Sequence, residues 1–96
     1  MTAFNVVRFR IKPGTDQEFL TAHKAGKAAW PGLKNGAIIK TGDATYCLIG
    51  EWADAEAIVK ARAGMIATLD SFRHVLEQTA TGATDAVSGP VVLTLT

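Results

Sequence analysis

Between Phe4 and Ile11 the side chains alternate: Asn5, Val7, Phe9 and Ile11 fall on one side of an extended chain, Phe4, Val6, Arg8 and Arg10 on the other. That period of two predicts a strand over Phe4–Ile11 with one mostly apolar face and one half-charged face. Lys12-Pro13-Gly14 then turns the chain, because Pro fixes φ and Gly permits a positive one. Thr15-Asp16-Gln17-Glu18 has the spacing of a capping box, and Phe19, His23, Gly26 and Trp30 follow at helical intervals. A first helix is therefore predicted to about Ala29, stopped by Pro31-Gly32.

Leu33–Thr41 reads as a second strand, with Gly36 marking a bulge or a close backbone approach, and Gly42-Asp43 reads as a hairpin turn. The stretch Ala44–Lys60 organises the rest. Thr45–Trp52 is rich in aromatic and β-branched residues and predicts a central strand. Asp54 then stands where a cap is needed, and Glu56 adds negative charge to the first helical turn. This second helix is predicted to bury Ile58, Ala61, Met65 and Ile66. A kink or break is expected near Thr68, where Asp70-Ser71 can cap a fresh start burying Phe72, Val75 and Leu76. Thr79–Asp85 reads as a loop and Ala86–Leu95 as the last strand, bent at Ser88-Gly89-Pro90.

The predicted order is β-α-β-β-α-β. Two split βαβ units give an α+β, ferredoxin-like fold: a four-stranded antiparallel sheet with both helices on one face. The other sheet face sets Phe4 and Val6 beside Arg8 and Arg10, too apolar to be left in water. A second copy packed face to face is the simplest cover, so a homodimer is expected. The 96 residues form one domain spanning 1–96, without linker, repeat or low-complexity tract.

Charge narrows the partners. The net charge is +1, with ten basic residues spread among nine acidic ones, which argues against nucleic acid and against an anionic membrane surface. The single Cys47 excludes an internal disulfide and an all-cysteine zinc site within one chain. No run reaches about 18 apolar residues and no secretory pattern opens the chain, so a cytoplasmic location is expected. His23 and His74 lie far apart in sequence with no carboxylate at ligand spacing, and no metal site is expected. Gly-rich phosphate loops and nucleophile elbows are absent from the sequence.

A few side chains carry candidate chemistry. Asn5 is the polar residue on the apolar face of the first strand: it either caps the strand and meets water, or holds a ligand oxygen. His74, beside the stripe of Phe72, Val75 and Leu76, is either a structural surface group or a general base or ligand. His23, between Phe19 and Trp30, either packs in the core or faces a pocket. Tyr46 and Trp52 share a sheet face, with Gly50 leaving space between them. Trp30 and Trp52 serve core packing, a dimer contact or ligand stacking. Parity and the expected break near Thr68 together predict an apolar cavity between sheet and helices. Its expected lining is Asn5, Val7, Phe9, Phe72 and His74, with Trp30 or His23 near the wall.

The opening strand followed by Lys12-Pro13-Gly14-Thr15, a helix with Phe19, the corner Gly50-Glu51-Trp52-Ala53-Asp54-Ala55-Glu56-Ala57 and the strand order resemble the antibiotic biosynthesis monooxygenase domain. That family belongs to the dimeric α+β barrel superfamily, and the resemblance spans nearly the whole chain. It implies a homodimer whose two sheets form a barrel, with a pocket in each subunit. It also implies oxidation of electron-rich aromatic compounds without metal or flavin. The expected function is thus a cofactor-independent monooxygenase acting on a small aromatic or polyketide-like compound. Asn5 and His74 are its expected catalytic residues, and Val7, Phe9, His23, Trp30, Tyr46, Trp52 and Phe72 bind substrate. No cofactor is expected. A non-catalytic small-molecule-binding dimer is the alternative. The haem-degrading branch places an Asn on the first strand, a Trp on the second helix and a ligand His beyond it. Asn5 and His74 match two of these positions, but Ala61 or a neighbour stands where the Trp would be. Haem degradation is therefore not expected, and haem binding through His74 is the second alternative.

Overall fold

Two split βαβ units assemble as the pattern requires, giving the ferredoxin-like α+β fold. The computed structural model describes residues 1–77 and 84–96. In it β1 (Ala3–Arg10), α1 (Asp16–Gly26), β2 (Leu33–Gly42), β3 (Thr45–Trp52), α2 (Ala55–Phe72) and β4 (Thr84–Pro90) follow in order. The sheet order is β2-β3-β1-β4, all neighbours antiparallel. Most of the loop expected over Thr79–Asp85 lies outside the described residues, while Thr84 and Asp85 already belong to β4.

Strand parity decides the layers. Asn5, Phe9, Tyr46, Leu48 and Trp52 are buried under the helices, while Arg8 and Arg10 stand exposed on the outer face. Phe19 of α1 and Ile58, Ala61 and Phe72 of α2 meet that inner face. Phe19, Trp52 and Phe72 are at most 1% exposed, and burying side chains of this size contributes about 1.5–3 kcal/mol each. Asp54 caps α2 as expected, its carboxylate accepting from the Ala57 N–H at 2.8 Å.

Local details differ from the sequence reading. The capping box at Thr15 does not form: the Thr15 hydroxyl donates back to the Lys12 carbonyl at 2.7 Å, and Glu18 reaches His74 instead. The turn residues of the hairpin are Asp43 and Ala44, one step later than expected, with Ala44 at φ +57°. In β2 the register shifts lie between Leu33 and Asn35 and between Lys40 and Gly42, so Gly36 is not the bulge and sits directly opposite Gly50. Helix α2 runs unbroken through Thr68 to Phe72 and ends in a 3-10 turn, Arg73–Val75. Thr68 is accommodated within it, its hydroxyl donating to the Gly64 carbonyl one turn back at 3.0 Å. The unbroken phase buries Ala57, Ile58, Ala61, Thr68 and Phe72 and leaves Ile66 48% exposed. Gly64 belongs to this packing. A Cβ there would strike the carbonyl of Ala29, so glycine lets α2 approach the turn that ends α1.

The last strand is shorter than Ala86–Leu95. Beyond the Val91 N–H, which donates to the Thr2 carbonyl at 2.8 Å, no strand pairs with the chain among the described residues. Val92, Leu93 and Leu95 accordingly stand exposed. On the outer face Glu51 accepts from Asn35 at 2.7 Å, and Arg8 pairs with Asp85 at 3.7 Å. Glu51 lies opposite Phe4 in the register, and Arg8 opposite Cys47.

Candidate ligand site

Asn5 is paired with Gly50 across β1 and β3, and two steps further along the same face lies Trp52. The indole N–H of Trp52 donates to Asn5 Oδ1 at 2.7 Å. A Cβ at Gly50 would occupy the space taken by Asn5 Oδ1 and Trp52 Nε1. The room expected beside Gly50 is therefore filled by this buried hydrogen bond. The amide nitrogen of Asn5 has a poorer partner, the thioether of Met65 at 3.8 Å. Sulfur is a weak acceptor, so Asn5 Nδ2 retains capacity to donate to an oxygen.

His23 comes to the same wall from α1. Its Nδ1 lies 3.0 Å from the Phe19 carbonyl, which only accepts, so Nδ1 carries the proton and Nε2 of the neutral ring is a bare acceptor. Phe9 and Phe72 pack on the ring at centroid distances of 5.4 and 4.6 Å. This burial lowers the His23 pKa below its ordinary 6.5, the Phe19 carbonyl opposing it in part. Trp30 completes the corner. Its indole N–H donates to Thr68 Oγ1 at 3.2 Å, fixing the ring against the middle of α2.

These groups border a cavity of about 340 Å³. Of the residues expected to form the site, Asn5, Val7, Phe9, His23, Trp30 and Phe72 line it. Three do not. His74 is carried outward by the 3-10 turn after Phe72, and its Nε2 meets the Glu18 carboxylate on the surface. Tyr46 donates its hydroxyl to the Asp16 carboxylate, which lowers the Asp16 pKa and raises that of Tyr46. Trp52 stands behind Asn5 and touches the cavity only through that amide. The haem reading depends on His74 as ligand; outside the cavity wall, His74 does not fit that role.

The sequence reading missed part of the lining. Arg62, Met65 and Thr68 of α2 and Thr84, Ala86 and Ser88 of β4 also border the cavity. Arg62 was detectable: it follows Ile58 by four residues and precedes Met65 by three, a cation set on the buried stripe of α2. The β4 residues gave no signal, because their place depends on pairing with β1 across the whole length of the chain.

No protein-family model matches the chain, and no curated protein matches it by sequence. Solved structures do. The cofactor-independent oxygenase SnoaB from Streptomyces nogalater superposes with a TM-score of 0.77 at 21% identity, over 98% of this chain and 96% of that one. A candidate antibiotic biosynthesis monooxygenase from Chloroflexus aurantiacus gives 0.76 at 11% identity, over 98% and 96%. A dimeric ferredoxin-like protein of unknown function from Thermobifida fusca gives 0.70 at 19% identity, over 95% and 92%. At these identities the likeness is one of fold, and the fold is the one that the resemblance in sequence implied.

Proposed function

We propose that the protein is a cofactor-independent monooxygenase that oxidises a small aromatic or polyketide-like compound in the cavity between sheet and helices. The observation that carries this reading is the presence of a spare donor, Asn5 Nδ2, and a bare acceptor, His23 Nε2, on the lining of one mainly apolar cavity. Such a pair suits a substrate that must lose a proton and be held as an anion. His23 Nε2 takes the proton from an acidic C–H beside a carbonyl or phenol, and Asn5 steadies the resulting oxyanion. The electron-rich carbanion gives an electron to O2, and recombination forms a C–O bond. His23 returns the proton to the peroxide, and loss of water leaves a carbonyl. A CH2 carbon thus becomes C=O, with one oxygen atom in the product and the other in water. The likeness in fold to a cofactor-independent oxygenase supports the reading. In this scheme His23 takes the proton-accepting role that the sequence assigned to His74.

The same reading makes the protein a cytoplasmic homodimer that covers its outer sheet face with a second copy. Phe4 is 41% and Val87 65% exposed on that face, which supports the pairing. Light scattering should give twice the 10.1 kDa chain mass, and a monomer at micromolar concentration contradicts it.

Oxygen uptake with anthrone in the presence of a chelator tests the activity. Catalysed uptake that is lost in His23→Leu and in Asn5→Leu is expected. Uptake no faster than the uncatalysed rate would leave a binding protein without chemistry.

A further inference from the structure

The geometry points to a second ligand site: a hollow on the β2 side that shares Asn5, His23, Trp30 and Leu48 with the first cavity and takes a monoanionic organic carboxylate with an aromatic body. Its volume is about 360 Å³, and its apolar walls include Leu33, Ile38 and Trp52. Lys24 of α1, Lys27 of the following turn and Lys34 of β2 border it, all three exposed, so they stand at its mouth. Among the described residues none of the three pairs with a carboxylate, whereas Lys40 and Lys60 each do. Three unneutralised ammonium groups around an apolar hollow match an amphipathic anion, its ring inside and its charge at the rim.

The alternative purpose of these lysines accounts for only two of them. Lys24 and Lys27 lie at the C-terminal end of α1, where cations offset the helix dipole. Lys34 lies on another element, and nothing in that account places it at the same rim. The chemistry of the rim also selects the anion. Among the described residues its lining holds no arginine fork of the kind that grips phosphate through two bonds. A carboxylate carries a single charge and suits loose ammonium partners.

Gly36 provides a way to fill the hollow. It sits opposite Gly50 on the helix-facing side, and a Cβ there meets the Leu33 side chain and the Ile49 carbonyl only at 3.6–3.7 Å, ordinary contact. A larger side chain at 36 therefore enters the hollow without displacing the backbone.

The test is titration of 2-naphthoate and its neutral analogue 2-naphthamide, followed by quenching of tryptophan fluorescence at low salt. Naphthoate should bind about tenfold more tightly than naphthamide, as three partly solvated cations allow. That preference should vanish in the triple variant Lys24→Gln/Lys27→Gln/Lys34→Gln, and Gly36→Val should abolish naphthoate binding with the unfolding midpoint unchanged. Equal affinities for the two probes, or a preference that survives the triple variant, overturns the proposal. Full binding in Gly36→Val overturns the location.

Discussion

At one end of the layer between helices and sheet, Phe9, Phe19, Tyr46 and Phe72 close ring against ring; beyond Phe9 and Phe72, which also border it, Asn5, Met65 and Ala86 leave a cavity. The same two helices cover both ends. The difference lies in what the strands and helices present to each other. At the closed end, centroid distances of 5.1, 5.0 and 5.3 Å from Phe19 to Phe9, Tyr46 and Phe72 leave no space, and such pairs add about 0.5–1.5 kcal/mol each beyond burial. At the open end, edge strand β4 contributes Ala86 and Ser88, and the two indole N–H groups donate to Thr68 and Asn5. The closed end stabilises the fold. The open end carries groups whose burial stabilises nothing unless they are paired.

Substitutions separate the two ends. The largest effect belongs to the closed end: Phe19→Ala should lower the unfolding free energy by about 3–5 kcal/mol, since Phe19 is fully buried and its neighbours cannot collapse into the gap. Denaturant unfolding measures it, and a loss below 1 kcal/mol would show that the cluster is loosely packed. At the open end, Asn5→Leu leaves the buried Trp52 N–H without its acceptor and should cost about 1–3 kcal/mol. Adding Trp52→Phe removes the stranded donor and should recover part of that loss, with ligand binding still absent. If the double variant instead binds as the native chain does, Asn5 serves only to hold Trp52.

A smaller effect follows from His23. Its folded pKa lies below 6.5, so between the two values the unfolded chain binds a proton that the folded chain refuses. Stability is then full above about pH 6.5 and falls as the pH drops through the folded value. Thermal melts from pH 8 to pH 5 should show this slope, and His23→Leu should flatten it. An unchanged slope in the variant would assign the acid sensitivity to other groups.

The strand and helix pattern was largely legible in the sequence because local signals sufficed. The span Thr45–Trp52 and the Asp54 cap follow from strand propensity and one side-chain oxygen. The parity of β1 alone puts Asn5, Val7 and Phe9 on the cavity side. What escaped depended on distant partners. A pocket position for His74 requires a break at Thr68, and Thr68 is held within α2 by the Gly64 carbonyl and from outside by Trp30. Glu18 has the spacing of a capping residue, but His74 arrives from 56 residues away and takes it. That Asn5 bonds Trp52 was hidden too, because a cross-strand neighbour appears only once the register is known.

The central claim is that the open end receives a planar aromatic whose oxygen lies on Asn5 Nδ2. The most direct measurement is an NMR titration with 1,8-dihydroxyanthrone under argon, where oxidation cannot proceed, reading the Asn5 side-chain amide and the backbone amides of Thr84 to Ser88. A saturable shift of the Asn5 Nδ2 protons, together with the β4 amides and His23, is the predicted result. Shifts confined to the outer face, at Val6, Arg8 and Cys47, or no saturable shift at all, would contradict it.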